Sequence, residues 1–152
     1  MTQRSVAHAT FVIDRTYDAT PARVFAAWAS RDAKAKWFVG PDEWEKSNHQ
    51  LDFRVGGKES VSGGPPGGPM HHYNALYQDI VPNERIVTTY NMHMDDIKTS
   101  VSVATLEFRA EGKGTRLIMT EQGAFLDGHD SVEGREEGTR QLLNNLEKTL
   151  TR

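Results

Sequence analysis

The chain has 152 residues, no cysteine, 26% charged residues and a formal charge of −3 at neutral pH. This length suits a single domain over 1–152, and the lack of cysteine excludes disulfides and thiolate chemistry. The charges form no basic cluster, no stretch reaches the ~18 apolar residues of a membrane span, and the N-terminal segment lacks a signal peptide's apolar core, so we expect a cytoplasmic protein that binds neither nucleic acid nor membrane.

The first third of the chain predicts one strand followed by two short helices. Apolar residues at alternate positions over 7–17 are typical of a half-buried strand. Pro21 suits the first position of a helix, and the apolar residues after it share one side. A second short helix is expected over 32–38, where Ala33 and Trp37 would be buried.

The middle of the chain predicts six further strands, which gives seven in total. Period-2 alternation recurs in segments separated by turn residues, as expected for antiparallel hairpins. The predicted strands are 50–55, the segment directly after Gly57, 70–80, 85–94, 99–110 and 115–123.

The segment "GGPPGGP" at 63–69 has three possible interpretations: a phosphate-binding loop, a linker between domains, or a connection within a hairpin. Its prolines lack the amide donors that a phosphate-binding loop needs, and a strand rather than a helix follows it. The strands before it are too few to form a core of their own, so we favour the hairpin connection.

The last segment predicts the longest helix of the chain. Asp130 or Ser131 is its N-cap, and leucines recur at helical spacing up to Leu150. The order of the elements indicates an α+β fold, in which an antiparallel sheet has one apolar face covered by this helix.

Several segments, in this order, are similar to recurrent segments of one known family: "ATFVIDRTYDATPARVFAAWAS", "LDFRVGGKE", "DIVPNERIVTTY", "GTRLIMTEQGAF" and "GREEGTRQLLNNLEKTL". The chain resembles the START and birch-pollen-allergen (SRPBCC) superfamily and, within it, the branch of the activator of a heat-shock chaperone ATPase. The resemblance implies a helix-grip fold, with a curved seven-stranded sheet around the C-terminal helix and a cavity for apolar or amphipathic molecules between them. Many relatives carry Trp where this chain has Thr139, which departs from the family pattern.

Three residues on the last helix, Gly134, Gly138 and Leu142, follow one another at intervals of four. An interior glycine costs a helix up to about 1 kcal/mol relative to alanine, so two of them on one stripe need a reason. One reason is a close approach of the helix to the sheet. The other, which we favour, is room for a ligand.

Aromatic and thioether side chains could form the wall of that cavity. Tyr73 and Tyr77 share one face of a predicted strand, and Tyr90 and Met92 share a face of the next. If the register is shifted by one residue, these side chains are ordinary core or surface residues instead. The full predicted cavity set is Trp28, Trp37, Tyr73, Tyr77, Tyr90, Met92, Met119, Glu121, Gly134, Gly138 and Leu142.

Glu121 is the ionisable residue with most chemical interest. In a dry cavity its pKa would rise, and it could orient a ligand or act as a general acid or base. The commoner alternative is a salt-bridged carboxylate at a strand edge. We therefore assign no catalytic residue.

Metal and cofactor sites are not expected. His71 and His72 are adjacent, so on a strand they point to opposite faces and cannot share a metal ion. Three functions remain in competition: a binding protein for a small apolar or amphipathic molecule, which we favour; a cyclase-like or hydratase-like enzyme using Glu121 and a tyrosine; and a co-chaperone. A homodimer is left open, and a chaperone partner is not expected.

Overall fold

The computed structural model describes residues 4–46 and 48–150. They form three helices and eight strands. In chain order these are β1 (Val6–Tyr17), α1 (Pro21–Ala29), α2 (Arg31–Lys34), β2 (Glu45–Lys46), β3 (Gln50–Leu51), β4 (Lys58–Gly64), β5 (His71–Val81), β6 (Arg85–Met94), β7 (Ile97–Glu111), β8 (Gly114–Leu126) and α3 (Val132–Leu150). Among the described residues no helix combines the length and the apolar composition that a membrane crossing requires.

The sheet is antiparallel, with the order β1-β8-β7-β6-β5-β4-β2, and β3 pairs with β4. The predicted α+β fold of the helix-grip type, with two short helices after the first strand, is confirmed. The apolar residues of alternate positions lie on the face that we call the inner face. Its core includes Ile13, Ile86 and Leu117, each about 1% exposed.

Helix α3 is 19 residues long and therefore about 28 Å in length. Ser131 is its N-cap, because the Ser131 hydroxyl accepts a hydrogen bond from the Gly134 amide at 3.0 Å. One stripe of the helix is buried, at Thr139, Leu143, Leu146 and Leu150. The predicted segment ran to the end of the chain, and its residues 151–152 lie outside the described residues.

Two sequence predictions were wrong in extent. The second helix ends at Lys34, four residues before the predicted end, and a turn replaces its last part. The strand predicted over 50–55 ends at Leu51, because Asp52–Gly57 form a turn in which the Gly57 amide donates to the Arg54 carbonyl at 2.8 Å. In a strand over 50–55, alternation would place Val55 on the apolar face with Leu51, but Val55 is 57% exposed. The strand count rises from seven to eight because β2, with two residues, was missed.

The "GGPPGGP" segment connects β4 to β5, as predicted for a hairpin connection. The Gly68 amide donates to the Pro65 carbonyl at 2.9 Å, which closes a turn, and Gly67 adopts a φ of 72°. This left-handed conformation favours glycine. The same loop places His71 at the start of β5, next to the candidate site.

Candidate functional site

A cleft of about 1700 Å³ lies between α3, the inner face of the sheet and the segment of α1 and α2. It is partly open to solvent. Every residue of the predicted cavity set except Glu121 lines it: Trp28, Trp37, Tyr73, Tyr77, Tyr90, Met92, Met119, Gly134, Gly138 and Leu142.

The two glycines of α3 lie at the exposed border of this cleft. A Cβ atom built on Gly138 would meet no neighbouring atom within 4 Å. A Cβ atom on Gly134 would lie 2.9 Å from the Ser131 hydroxyl, which caps the same helix. Neither glycine is therefore required by a close approach to the sheet, and at Gly138 the missing side chain leaves open space.

Aromatic rings line one wall of the cleft in edge-to-face and tilted contacts. Phe38 lies 5.0 Å from Tyr73, and Tyr73 lies 4.9 Å from Tyr90, measured between ring centroids. Trp28 and Trp37 are in contact at 4.5 Å behind Phe38. Such rings supply a large apolar area with fixed geometry. Trp37 is only 1% exposed, so it supports this wall from the core.

A buried ion pair that the sequence analysis missed stands beside this wall. The Lys34 ammonium lies 2.7 Å from the Glu59 Oε1 atom, and both side chains are almost fully buried. The Tyr77 hydroxyl donates to the same oxygen at 2.7 Å. His49 Nε2 lies 2.6 Å from the other oxygen, Oε2. The Lys34 nitrogen also lies 4.5 Å from the centre of the Phe38 ring, a cation–π contact.

This cluster holds Glu59 as a carboxylate. Burial opposes ionisation, but the Lys34 charge and the hydrogen bonds from His49, Lys34 and Tyr77 outweigh it and lower the Glu59 pKa to about 2. Burial lowers the pKa of Lys34, while the Glu59 charge opposes that shift. Burial and the neighbouring carboxylate raise the pKa of Tyr77, so its hydroxyl stays a donor.

Two buried polar atoms in this part of the cleft lining have no hydrogen-bond partner among the described residues. They are Nδ1 of His49 and Nε1 of Trp28. Both residues line the cleft, and both are less than a tenth exposed. An unpaired buried polar atom is costly, so native structures contain few of them.

Glu121 lies on β8, which is an interior strand between β1 and β7, and it is 1% exposed. The alternative of a salt-bridged carboxylate at a strand edge is therefore wrong in its edge position, whereas its salt bridge is present, to Arg135. Its Oε2 accepts a hydrogen bond from the Tyr90 hydroxyl at 2.7 Å and lies 3.4 Å from Arg135. Its Oε1 has no partner within the described part of the chain.

Arg135, on α3, connects Glu121 with other groups. Its guanidinium donates to the Tyr90 hydroxyl at 2.9 Å, to Ser100 at 2.7 Å and to Asp130 at 2.7 Å. Burial raises the Glu121 pKa, and the bonds from Tyr90 and Arg135 only partly offset that rise. The pKa of Glu121 is thus raised by burial, but the predicted cavity is not the cause, because the Glu121 side chain does not line the cleft.

The two adjacent histidines are separated as expected from strand geometry. His71 stacks on Trp44 at 5.2 Å and lines the cleft, whereas His72 Nδ1 lies 2.6 Å from the Ser62 hydroxyl. In the chain from residue 4 to 150, residue 47 aside, no group of three or more His, Asp or Glu side chains is arranged to hold a metal ion.

The residues that the sequence analysis missed are Lys34, His49, Glu59 and Arg135. Weak signals existed: Lys34 precedes Trp37 by one helical turn, and Glu59 shares a strand face with Val61, which lines the cleft. Neither signal outweighs the general rule that lysine and glutamate are solvent-exposed.

Comparison with known proteins agrees with this architecture. A solved structure from Rhizobium leguminosarum, of a protein described as putative and uncharacterized, is 44% identical with a TM-score of 0.92, and the match covers 98% of each chain. A structure from Rhizobium loti is 47% identical with a TM-score of 0.89, over 96% of this chain and 99% of that one. A third, from Chromobacterium violaceum, is 25% identical with a TM-score of 0.77, over 94% and 97%.

No curated protein matches the chain. The family model described as "Activator of Hsp90 ATPase homolog 1-like protein" matches residues 18–151. The matched residues include α1, α2, the strands from β2 to β8 and α3. All the side chains of the candidate site therefore lie within the match. The chain belongs to the family of Activator of Hsp90 ATPase homolog 1-like proteins, within the SRPBCC superfamily.

Proposed function

We propose that the protein binds a small amphipathic molecule in the cleft between α3 and the sheet. The observation that carries this proposal is the cleft itself, which has a volume of about 1700 Å³. Its lining combines a wall of aromatic and thioether side chains, exposed charged residues such as Arg31, Lys36 and Glu43, and a few buried polar atoms. Ligand sites in proteins combine a largely apolar lining with a small number of placed polar groups.

The glycines of α3 support the same proposal. Glycine at position 138 makes the helix less stable than alanine would. No atom of the described residues occupies the space that the missing side chain leaves. A ligand that extends along α3 would use this space.

A panel of fatty acids, sterols, aromatic alcohols and polyketides, screened by thermal denaturation and native mass spectrometry, tests the proposal. A ligand at about 100 times its dissociation constant adds about 2.7 kcal/mol, which for a chain of this size raises the melting temperature by about 5–10 °C. Absence of any saturable shift across the panel would contradict the proposal.

Two matched variants locate the binding. Gly138→Phe puts a ring into the open space of the cleft, and we expect it to weaken binding at least about tenfold. Glu137→Phe puts the same ring one residue earlier, at an exposed position outside the cleft lining, and binding should be unchanged. Equal binding by both variants would place the ligand elsewhere.

An enzymatic function of the cyclase or hydratase kind is a second candidate. The observation that favours it is the hydrogen bond from Tyr90, which lines the cleft, to Glu121, whose pKa burial raises. We rank it second because Glu121 itself does not line the cleft. The co-chaperone alternative has support only from the description of the family.

A further inference from the structure

We propose that His49 is the polar anchor of the cleft, where its Nδ1 atom accepts a hydrogen bond from a hydroxyl group of the bound molecule. Glu59 positions the imidazole ring for this contact. The inference deepens the proposed function and rests on it, because it names the class of ligand: an amphipathic alcohol or phenol.

The contact between His49 and Glu59 determines which ring nitrogen is available. The 2.6 Å separation of His49 Nε2 from Glu59 Oε2 is a hydrogen bond, and an ionised carboxylate can only accept. Nε2 therefore carries the proton and donates. The second nitrogen, Nδ1, points away from Glu59 and has no partner in the described chain.

Lys34 and Tyr77 keep Glu59 in this role. Both donate to Oε1 at 2.7 Å, which leaves Oε2 for the imidazole ring. A second proton on the ring would add a positive charge and an unpaired N–H group close to the Lys34 ammonium, in a buried place. The ring therefore presents a lone pair at Nδ1, held in direction by a buried network.

The lone pair defines what the ligand must supply. A fully ionised carboxylate or phosphate has no proton to donate, and an ammonium group would repel Lys34. A hydroxyl group donates without a charge and can also accept from a donor such as Trp28 Nε1, which is unpaired in the same lining. The Phe38 ring, 5.9 Å from the His49 ring between centroids, offers an apolar surface beside the anchor.

A pair of probes that differ only in the hydroxyl group tests the inference. We would measure dissociation constants of 2-naphthol and 2-methoxynaphthalene by fluorescence titration. The ratio of the two constants should change about fivefold to tenfold between the wild-type protein and His49→Phe, with loss of the preference for the alcohol. His72→Phe, a matched change of a histidine outside the cleft lining, should leave the ratio unchanged.

Nitrogen-15 NMR of the wild-type imidazole signals provides a test that needs no variant. We expect His49 to be protonated at Nε2 and unprotonated at Nδ1, and the Nδ1 signal to shift when 2-naphthol is added. A proton on Nδ1, or an Nδ1 signal that 2-naphthol does not move, would overturn the inference even if His49→Phe failed to fold.

The outcomes separate this inference from the proposed function. If both probes bind, Gly138→Phe blocks both, and the ratio is equal in wild type and His49→Phe, then the cleft binds ligands but His49 is not the anchor. If fatty acids bind and neither the probes nor any alcohol or phenol of the panel does, the class of ligand is wrong. If no member of the panel binds, both proposals fail.

Discussion

Glu59 and Glu121 are two carboxylates that are equally buried, each about 1% exposed, yet their pKa values move in opposite directions. Glu59 accepts short hydrogen bonds from Lys34, Tyr77 and His49, and its pKa falls to about 2. Glu121 has one short donor, Tyr90, and a more distant guanidinium, and its pKa rises.

The difference shows that burial sets the cost of a charge, whereas the number of short donors decides whether that cost is offset. Lys34 directs its charge at one carboxylate. Arg135 divides its donors among Tyr90, Ser100 and Asp130, so little of its bonding capacity reaches Glu121. One buried carboxylate is therefore a fixed structural charge, and the other is able to take up a proton.

The largest expected effect comes from removing the Glu59 charge. Glu59→Gln leaves Lys34 buried without a counter-charge, which should lower the free energy of unfolding by about 3–5 kcal/mol at pH 7, measured by urea denaturation. The double variant Lys34→Met/Glu59→Gln removes both charges and should recover most of that loss. By contrast, Glu121→Gln should cost clearly less than Glu59→Gln. Equal losses from the two single variants would contradict the distinction between the two carboxylates.

The pH dependence of stability should have opposite signs at the two sites. The folded pKa of Glu59 is depressed from 4.5 to about 2, so its stabilising contribution is present above pH 4.5 and is lost as the pH falls toward 2, an effect of about 3 kcal/mol. The folded pKa of Glu121 is raised above 4.5, so its contribution increases as the pH falls from neutral toward 4.5.

The contribution of each carboxylate is obtained by subtracting the unfolding free energy of its glutamine variant from that of the wild type at each pH. The difference in unfolding free energy between wild type and Glu59→Gln should shrink below pH 4.5. The difference between wild type and Glu121→Gln should instead grow as the pH is lowered from 7 to 4.5. If both differences in unfolding free energy changed in the same direction with pH, the hydrogen-bond donors would not set the two carboxylates apart.

Removal of the tyrosine hydroxyls that donate to the two carboxylates should lower the free energy of unfolding least. Tyr77→Phe removes a hydrogen bond to an ionised group and should cost about 1.5–3 kcal/mol. Tyr90→Phe should cost about 0.5–1.5 kcal/mol, because Glu121 can take up a proton in compensation. Both values come from urea denaturation at pH 7, and a larger cost at Tyr90 would contradict the ranking.

Much of the fold followed from local patterns. Alternation along β5 predicted that Tyr73 and Tyr77 share a face, and the structure places both in the lining of the cleft. Helical spacing located α3 and its Ser131 cap. The errors arose where a turn interrupts a pattern, as at 52–57, because a few backbone hydrogen bonds there outweigh the preference of alternate apolar residues for a strand.

The candidate site was only partly predictable. The aromatic lining could be inferred from residue type and strand position. The surroundings of Glu121 could not, because its partner Arg135 comes from a distant helix. The cluster of Lys34, His49 and Glu59 could not, because its members are 10 and 25 residues apart in the chain and no local periodicity links them.

Local patterns were enough to predict the fold class, the order of the long strands and helices and their apolar faces, since those properties depend on neighbours within a few residues. Which charged side chains are buried, and which partners they have, depends instead on contacts between segments that are distant in the chain. The ion pair joins Lys34 of α2 to Glu59 of β4 with both side chains almost fully buried, and a pairing of this kind between distant segments has no signature along the chain.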